Sequence, residues 1–330
     1  MADSLQELLS NLDDEIQDTD EETFLLYANT VPLEGLGFID SRASTLEIQL
    51  NGKDVTIHQS PGVLASSRKG GTTGAVLWKI TPLFAEWLSS PSNPLTPFLT
   101  QQTSSPPSII ELGCGISPLN ALSLSHKVSR YILTDQPYVQ KLLLQNLAAN
   151  IQTFSSSSTT KAHPSSSSRS KTKTPTSSSS SSPSHSSTAA AAAAEIHFSV
   201  LDWETSQVTP FLTHSPTTSS FDAVVSCDCV YNYALIEPFV QTCVDICALR
   251  NKDTSALRSN QQQDSADGNL LRPCLCIVAQ QLRNDDVFHT WLTAFRRRFR
   301  VWRVPGGRMP VELRPEAGFV VHVGILKDSF

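Results

Sequence analysis

The spacing of hydrophobic positions changes along this chain, and each change marks an element. Near the start, Leu5, Leu8, Leu9, Leu12 and Ile16 recur at helical spacing among carboxylates, which predicts an acidic amphipathic helix. "TLEIQLNGKDVTIHQSP" alternates apolar and polar positions on both sides of Asn-Gly, a strong β-hairpin signal. "TGAVLWKITPLFAEWL", Thr73 to Leu88, reads as a helix entered from a glycine-rich turn. From Ser108 onward, short apolar runs alternate with helical patterns. "SIIELG", "RYILTD", "IHFSVLD", "FDAVVSCD" and "PCLCIVAQQ" are predicted strands. "SPLNALSLSH", "PYVQKLLLQNLAAN", "YALIEPFVQTCVDICAL" and "DDVFHTWLTAFRRR" are predicted helices. That alternation implies βαβ units on a parallel sheet. The last two runs, "FRVWRVP" and "GFVVHVGILK", have no helix between them and predict an antiparallel pair at the sheet edge. The expectation is an α/β fold with a seven-stranded sheet and an antiparallel C-terminal hairpin, preceded by a helix and a β-hairpin.

Two stretches break the pattern. Residues 154–194 are almost entirely Ser, Thr, Pro, Lys and Ala, a composition that cannot bury enough apolar surface to offset its ordering entropy. They are expected to be a disordered insertion. A second polar stretch, 251–270, is expected to be a loop. Lengthening a surface loop costs only about 0.6 kcal/mol per doubling, so both fit inside one domain. The expected organisation is an acidic N-terminal helical segment, 1–34, followed by one α/β domain, 35–330.

Charge and composition narrow the partners. A formal net charge of −6 argues against a protein that coats nucleic acid, and no apolar run reaches the length of a membrane span. The acidic start, with no Lys or Arg before Arg42, excludes an ordinary signal peptide and disfavours a mitochondrial presequence. A cytoplasmic protein is expected, with the nucleus as the second choice. None of the seven cysteines forms a Cys-x-x-Cys pair, so they read as reduced, buried small hydrophobes, and no metal is expected. "FRRRFRVWR", Phe295 to Arg303, reads either as a solvated helix end or as a contact for RNA or an acidic partner.

The candidate chemistry sits at the strand ends. In "IIELGCGISP", Gly113 and Gly115 allow a sharp turn and close approach of a ligand. The dinucleotide version of such a turn needs a third glycine, where this chain has Pro118. Glu111 precedes the turn and either orients it through backbone N–H groups or touches the ligand. Asp135, twenty-two residues beyond Gly113, suits ribose hydroxyls. Asp202 and Trp203 suit an adenine ring, which wants one polar contact and a stacking face. No basic residue lies near the turn to meet a phosphate. A nucleoside without phosphates but with a cation, S-adenosylmethionine, fits these acids better than NAD or ATP.

With those residues in hand, "TGAVLWKITPLFAEWL", "IIELGCGISPLN", "ILTDQ", "LDWE" and "SCDCVYN" together resemble family 16 of the class I methyltransferases, the seven-β-strand protein-lysine methyltransferases. Within that family, "GLGFID" and the stretch from "SPGVLASSRKGG" onward are most similar to the fungal ribosomal lysine methyltransferases. The resemblance implies a Rossmann-like fold and cofactor contacts at Trp78, Gly113, Cys114, Gly115, Asp135, Trp203 and Cys227. It also implies that Asp228 to Tyr231 is the family's D-x-x-Y at the acceptor lysine. Asp228 would orient the amine or take its proton, and Tyr231, read as one helical turn further on, would wall the lysine channel. The implied partner is a protein substrate, a large-subunit ribosomal protein first. The alternatives are another protein, a small molecule, or an inactive cofactor-binding module.

Overall fold

A computed structural model of the chain describes residues 2–28, 37–68, 71–100, 107–155, 194–260 and 272–327. The chain opens with α1 (Ala2–Ser10) and α2 (Thr19–Ala28), then forms a hairpin of β1 (Thr45–Leu50) and β2 (Lys53–His58). Three helices follow: α3 (Pro61–Leu64), α4 (Ile80–Ser89) and α5 (Thr96–Thr100). Alternation then sets in with β3 (Ser108–Leu112), α6 (Leu119–Leu124), β4 (Arg130–Asp135), α7 (Gln140–Ser155) and β5 (Glu195–Val200). It continues through β6 (Ala223–Cys227), α8 (Tyr233–Asn260), β7 (Leu275–Gln281), α9 (Asp285–Arg298), β8 (Phe299–Arg303) and β9 (Phe319–Leu326).

The seven strands β3 to β9 form one sheet in the order β5-β4-β3-β6-β7-β9-β8. Strands β3 to β7 are parallel, and β9 runs antiparallel to both its neighbours, β7 and β8. This is the seven-stranded sheet with an antiparallel pair at its C-terminal edge that the sequence led one to expect. Strand periodicity divides the core. Ile109, Tyr131, Leu133, Val225 and Ile277 face α4 through Ile80, Phe84 and Trp87. Ile110, Ile132, Val224 and Val278 face α8 and α9 through Phe239, Trp291 and Phe295. Both faces are covered, which is why these strands read as continuous apolar runs.

The Asn-Gly hairpin forms as expected: Asn51 and Gly52 sit at φ 52° and 70°, the left-handed pair that a two-residue turn requires. Its outer edge is capped by side chains of α7. Asn146 accepts from the His58 N–H at 2.8 Å and donates to its carbonyl at 2.9 Å, and Asn150 does the same for Thr56 at 3.0 and 2.8 Å. The two amides complete a strand edge that would otherwise be unpaired.

Two boundaries differ from expectation. The helix predicted from Thr73 begins at Ile80; Thr73–Ala75 is a single 3-10 turn and Val76 is extended. Pro82 sets the limit. Its ring clashes with the carbonyl four residues back, so it is accommodated only within a helix's first turn. The polar loop expected over 251–270 is helix as far as Asn260, because α8 continues. Thr254 and Ser255, which might have ended it, donate their hydroxyls to the carbonyls of Arg250 and Asn251 one turn back, at 2.9 Å each. The Ser-rich insertion lies outside the described residues apart from its ends.

The arginine-rich run has found its acidic partner within the chain. Residues 13–16 lie along the free edge of β8: the Asp13 N–H donates to the Arg303 carbonyl at 3.0 Å and the Ile16 N–H to the Val301 carbonyl at 2.8 Å. Arg300 pairs with Glu15 at 2.5 Å, and Arg303 with Asp13 at 2.8 Å and Glu22 at 3.0 Å. Arg296 donates to the Ile16 carbonyl at 2.9 Å and to the Thr19 hydroxyl at 2.9 Å. Leu8 and Leu12 bury in the face that holds Trp302, and Leu26 in the opposite one. The first 28 residues thus act as a strap over the sheet edge. No helix among the described residues is long and apolar enough to cross a membrane.

Candidate active site

The carboxyl ends of β3, β4, β5 and β6 open on one cleft, closed on its far side by the segment that precedes α4. All nine residues singled out in the sequence line it: Gly113, Cys114 and Gly115 after β3, Asp135 at the end of β4, Trp203 after β5, Cys227, Asp228 and Tyr231 at and after β6, and Trp78 opposite. Glu111, Asp202, Gly74, Tyr138 and Cys229 line it too.

Two glycines shape the first turn. Gly113 and Gly115 sit at φ 66° and 57°. A Cβ on Gly113 would lie 2.5 Å from the Cys229 sulfur and 3.2 Å from the Trp203 indole; one on Gly115 would lie 3.0 Å from the Gly74 carbonyl oxygen. Only glycine satisfies both the backbone and the space. The turn is tied on both flanks: the Ile116 N–H donates to the Gly74 carbonyl at 3.0 Å and the Cys114 N–H to the Thr134 carbonyl at 3.1 Å.

The acids are held differently from one another. Asp135 turns inward and accepts from the Gly115 N–H at 2.7 Å and from the Gln136 N–H at 2.6 Å. Each oxygen keeps a further lone pair for a ligand hydroxyl. Burial pushes its carboxyl up to about 6 against the opposing pull of those two N–H groups. Glu111 is fully enclosed and accepts from the Tyr131 hydroxyl and the Asn120 amide, both at 2.8 Å. Burial raises it to about 7, over the lowering effect of both hydrogen bonds. Each oxygen is engaged by a side chain, from α6 and from β4, and not by the backbone N–H groups of the turn, the first of the two roles its place in the sequence suggests. Asp202 accepts from the Glu204 N–H at 3.0 Å and so organises its own turn.

The far end of the cleft departs from a simple reading. Asp228 and Tyr231 do not share a helix face: α8 begins only at Tyr233, and Asp228 stands in the left-handed region at φ 63°. The expected helical turn between them is replaced by a loop, with Asn232 accepting from the Ala234 N–H at 3.0 Å where the helix starts. The Tyr231 hydroxyl accepts from the Thr73 hydroxyl at 3.2 Å, and the residue is 39% exposed, at the mouth. The Trp78 indole donates to the Thr73 carbonyl at 3.2 Å and packs on Phe38, ring centroids 4.5 Å apart. Asp228 is paired with Arg283, which sequence reasoning did not single out. Gly74 and Tyr138 were missed as well; the Tyr138 hydroxyl accepts from the Gly74 N–H at 3.1 Å. "TDQPY" and "QQLRN" carry the only signal for Tyr138 and Arg283: each lies within three residues of a strand's carboxyl end.

Comparison with known proteins is consistent with this geometry. The model of a family described as lysine methyltransferase matches residues 58–163 and 185–271. A "Ribosomal lysine N-methyltransferase 5" of Zygosaccharomyces rouxii is 29% identical over 205 residues, 57% of this chain and 58% of that protein. Its Saccharomyces cerevisiae namesake is 29% identical over 242 residues, 61% of this chain and 65% of that protein. The chain therefore spans about three fifths of the length of these relatives. A Schizosaccharomyces pombe protein named diaminohydroxyphosphoribosylamino-pyrimidine deaminase is 34% identical over 139 residues, but these are 32% of its length. The Pro-Cys-x-x-Cys signature of zinc deaminases is not in this sequence. Among solved structures, a methyltransferase complexed with SAH aligns at TM-score 0.39 and 9% identity, over 86% of this chain and 56% of that one.

Proposed function

The chain belongs to the lysine methyltransferase family, and from that premise we propose that it transfers a methyl group from S-adenosylmethionine to a lysine side chain of a protein. One observation carries the reading. The cleft pairs a glycine turn that no Cβ could enter with a ring of carboxylates at the strand ends. That combination suits a nucleoside carrying a cation and no phosphate.

Gly113, Cys114 and Gly115 would bring backbone close to the cofactor, Asp135 would accept from its ribose hydroxyls, and Trp203 would offer its adenine a stacking face. Trp78 and Cys227 would border the cofactor at its reactive end. When bound, the cofactor supplies an electrophilic methyl group on a sulfonium. The protein's task is then positional: to hold the amine in line, exclude water, and take the lysine as its neutral amine although its ordinary pKa is about 10.4. Asp228 and Tyr231 would serve the acceptor side, Asp228 by accepting a hydrogen bond from the amine and Tyr231 by walling the mouth with its ring.

The names of the relatives favour a ribosomal protein as substrate; that it belongs to the large subunit and is met in the cytoplasm is part of our proposal. The test is to incubate the chain with tritiated S-adenosylmethionine and ribosomal subunits from cells lacking its gene. One labelled large-subunit protein, with label on lysine after hydrolysis, is the expected result. Label in another protein moves the substrate; label only in small molecules, or none, overturns the reading.

A further inference from the structure

Asp228 is the acidic member of the D-x-x-Y segment, yet it does not face the cleft as a bare anion. Its side chain is 1% exposed, and both carboxylate oxygens accept from one guanidinium. Arg283 Nη1 donates to Oδ1 at 2.7 Å and Nη2 to Oδ2, while the Gln281 N–H approaches Oδ1 at 3.3 Å. Four residues hold Arg283 in place, three of them from other segments of the chain. Gln281 Oε1 accepts from Nη2 at 2.8 Å. The Trp78 ring centroid lies 4.8 Å from the guanidinium carbon. The backbone at Gly37 crosses so close that a Cβ there would collide with Gln281 Oε1 and come within 2.8 Å of Nη2. Tyr27, from the N-terminal strap, donates its hydroxyl to the carbonyl of Asn284, the residue after Arg283, at 3.1 Å. A bidentate pair enclosed in this way is unlike an exposed ion pair, whose long side chains wander.

We infer that Arg283 is a positioning residue for methyl transfer, one that acts through Asp228. It locks the carboxylate in place and cancels its charge, so that Asp228 meets the incoming lysine as a hydrogen-bond acceptor and not as a free anion. The chemistry makes the distinction matter. A free carboxylate at the acceptor site would bind lysine as the ammonium, which has no lone pair to attack with. With three of the four lone-pair sites on Asp228 engaged by Arg283 and the Gln281 N–H, one on Oδ2 remains to orient an uncharged amine. The inference rests on the lysine-methylation reading above.

The test compares the full chain with R283Q, R283K, D228N and the double variant D228N/R283Q, measuring SAH affinity by calorimetry and kcat and KM for the protein substrate. For R283Q the expected result is SAH affinity within about twofold of wild type, KM unchanged or lower because the freed carboxylate holds the ammonium, and kcat down by about tenfold or more, ~1.4 kcal/mol in the barrier. R283K should regain part of kcat, since it restores the charge but not the fork. In the D228N background, R283Q should cost nothing further, the signature of a residue that works through its partner. R283Q with wild-type kcat overturns the inference, as does a raised kcat, which would make Arg283 a plug that lysine displaces. Loss of SAH binding or of the folded state in R283Q that persists in the double variant also overturns it, by making the arginine structural. If the wild-type chain binds SAH but labels no protein, the lysine reading fails and takes the inference with it; if wild type is active and R283Q equally so, only the inference fails.

Discussion

Single residues in the cleft carry opposed demands, and pH exposes them. In the proposed role Asp135 would have to be ionised to accept from two ribose hydroxyls while keeping its two backbone N–H bonds, yet burial has raised it to about 6. Its ionised fraction falls from about nine tenths at pH 7 to about one tenth at pH 5. SAH affinity measured by calorimetry should fall by up to about tenfold over that interval, and Asp135→Asn should flatten the dependence. Glu111 bears on stability. A carboxyl whose folded value lies above its unfolded one destabilises the fold once ionised: the penalty is absent below the ordinary carboxylate range and complete above about pH 7. Glu111→Gln keeps an oxygen for Asn120 and a polar group for Tyr131. That variant should melt higher than wild type at about pH 8, with the difference shrinking toward about pH 4. Thermal melts across that range check it. The residues of the glycine turn and the strand ends were legible in the sequence because their chemistry is local: a turn, an acid, a ring. Arg283 was not. An arginine two residues past a strand has no marked sequence context, and its meaning comes from Asp228, Trp78 and Gly37, which lie far from it along the chain.

At the scale of elements, the strap is held by an ionic cluster as well as by the burial of Leu8, Leu12 and Leu26. Arg303 grips Asp13 and Glu22, and the other Glu22 oxygen meets the fully buried His322 at 3.1 Å. Burial alone would raise the Glu22 carboxyl, but His322 and Arg303 outweigh it and hold it below its ordinary value. This contribution to stability is therefore present at neutral pH and is lost as pH falls below the ordinary carboxylate range. Arg303→Ala leaves Glu22 buried with one partner, and urea unfolding should show a loss of about 3 kcal/mol, as when a buried pair loses one member. Restoring charge balance with Glu22→Gln in the same chain should recover part of it. The central strands could be read in advance because burial on both faces leaves a mostly apolar run, whereas the edge strands β5 and β8 were legible from apolar positions interleaved with polar ones. Helix ends were harder. Pro82 in "KITPLF" marks the start of α4, within a stretch whose apolar spacing begins further upstream. The arginine run "FRRRFRVWR" gave charge without direction; that its partners are the chain's own carboxylates is a fact of topology, beyond any local window.

Across the whole molecule, strap, sheet edge and cleft form one mechanical line. The strap lies along β8, its helix α2 packs on α9, and Tyr27 supports the turn that carries Arg283 to Asp228. The end of the cleft that holds Asp228 is thus buttressed from far away in the sequence. Those contacts also impose a schedule. Asp13 and Arg303 are separated by 290 positions, and Glu22 and His322 by 300. A chain made at about 5–20 residues per second leaves its acidic opening without these partners for roughly 15 to 60 seconds. During that interval Leu8, Leu12 and Leu26 have no sheet edge to bury against, and the nine carboxylates among the first 28 residues keep the waiting segment hydrated. Edge strand β8 is made some 290 positions after its cover, which is already waiting. The strap's acidity thus serves twice: as solvent for a segment that must wait, and then as the ionic half of the joint that ends the wait.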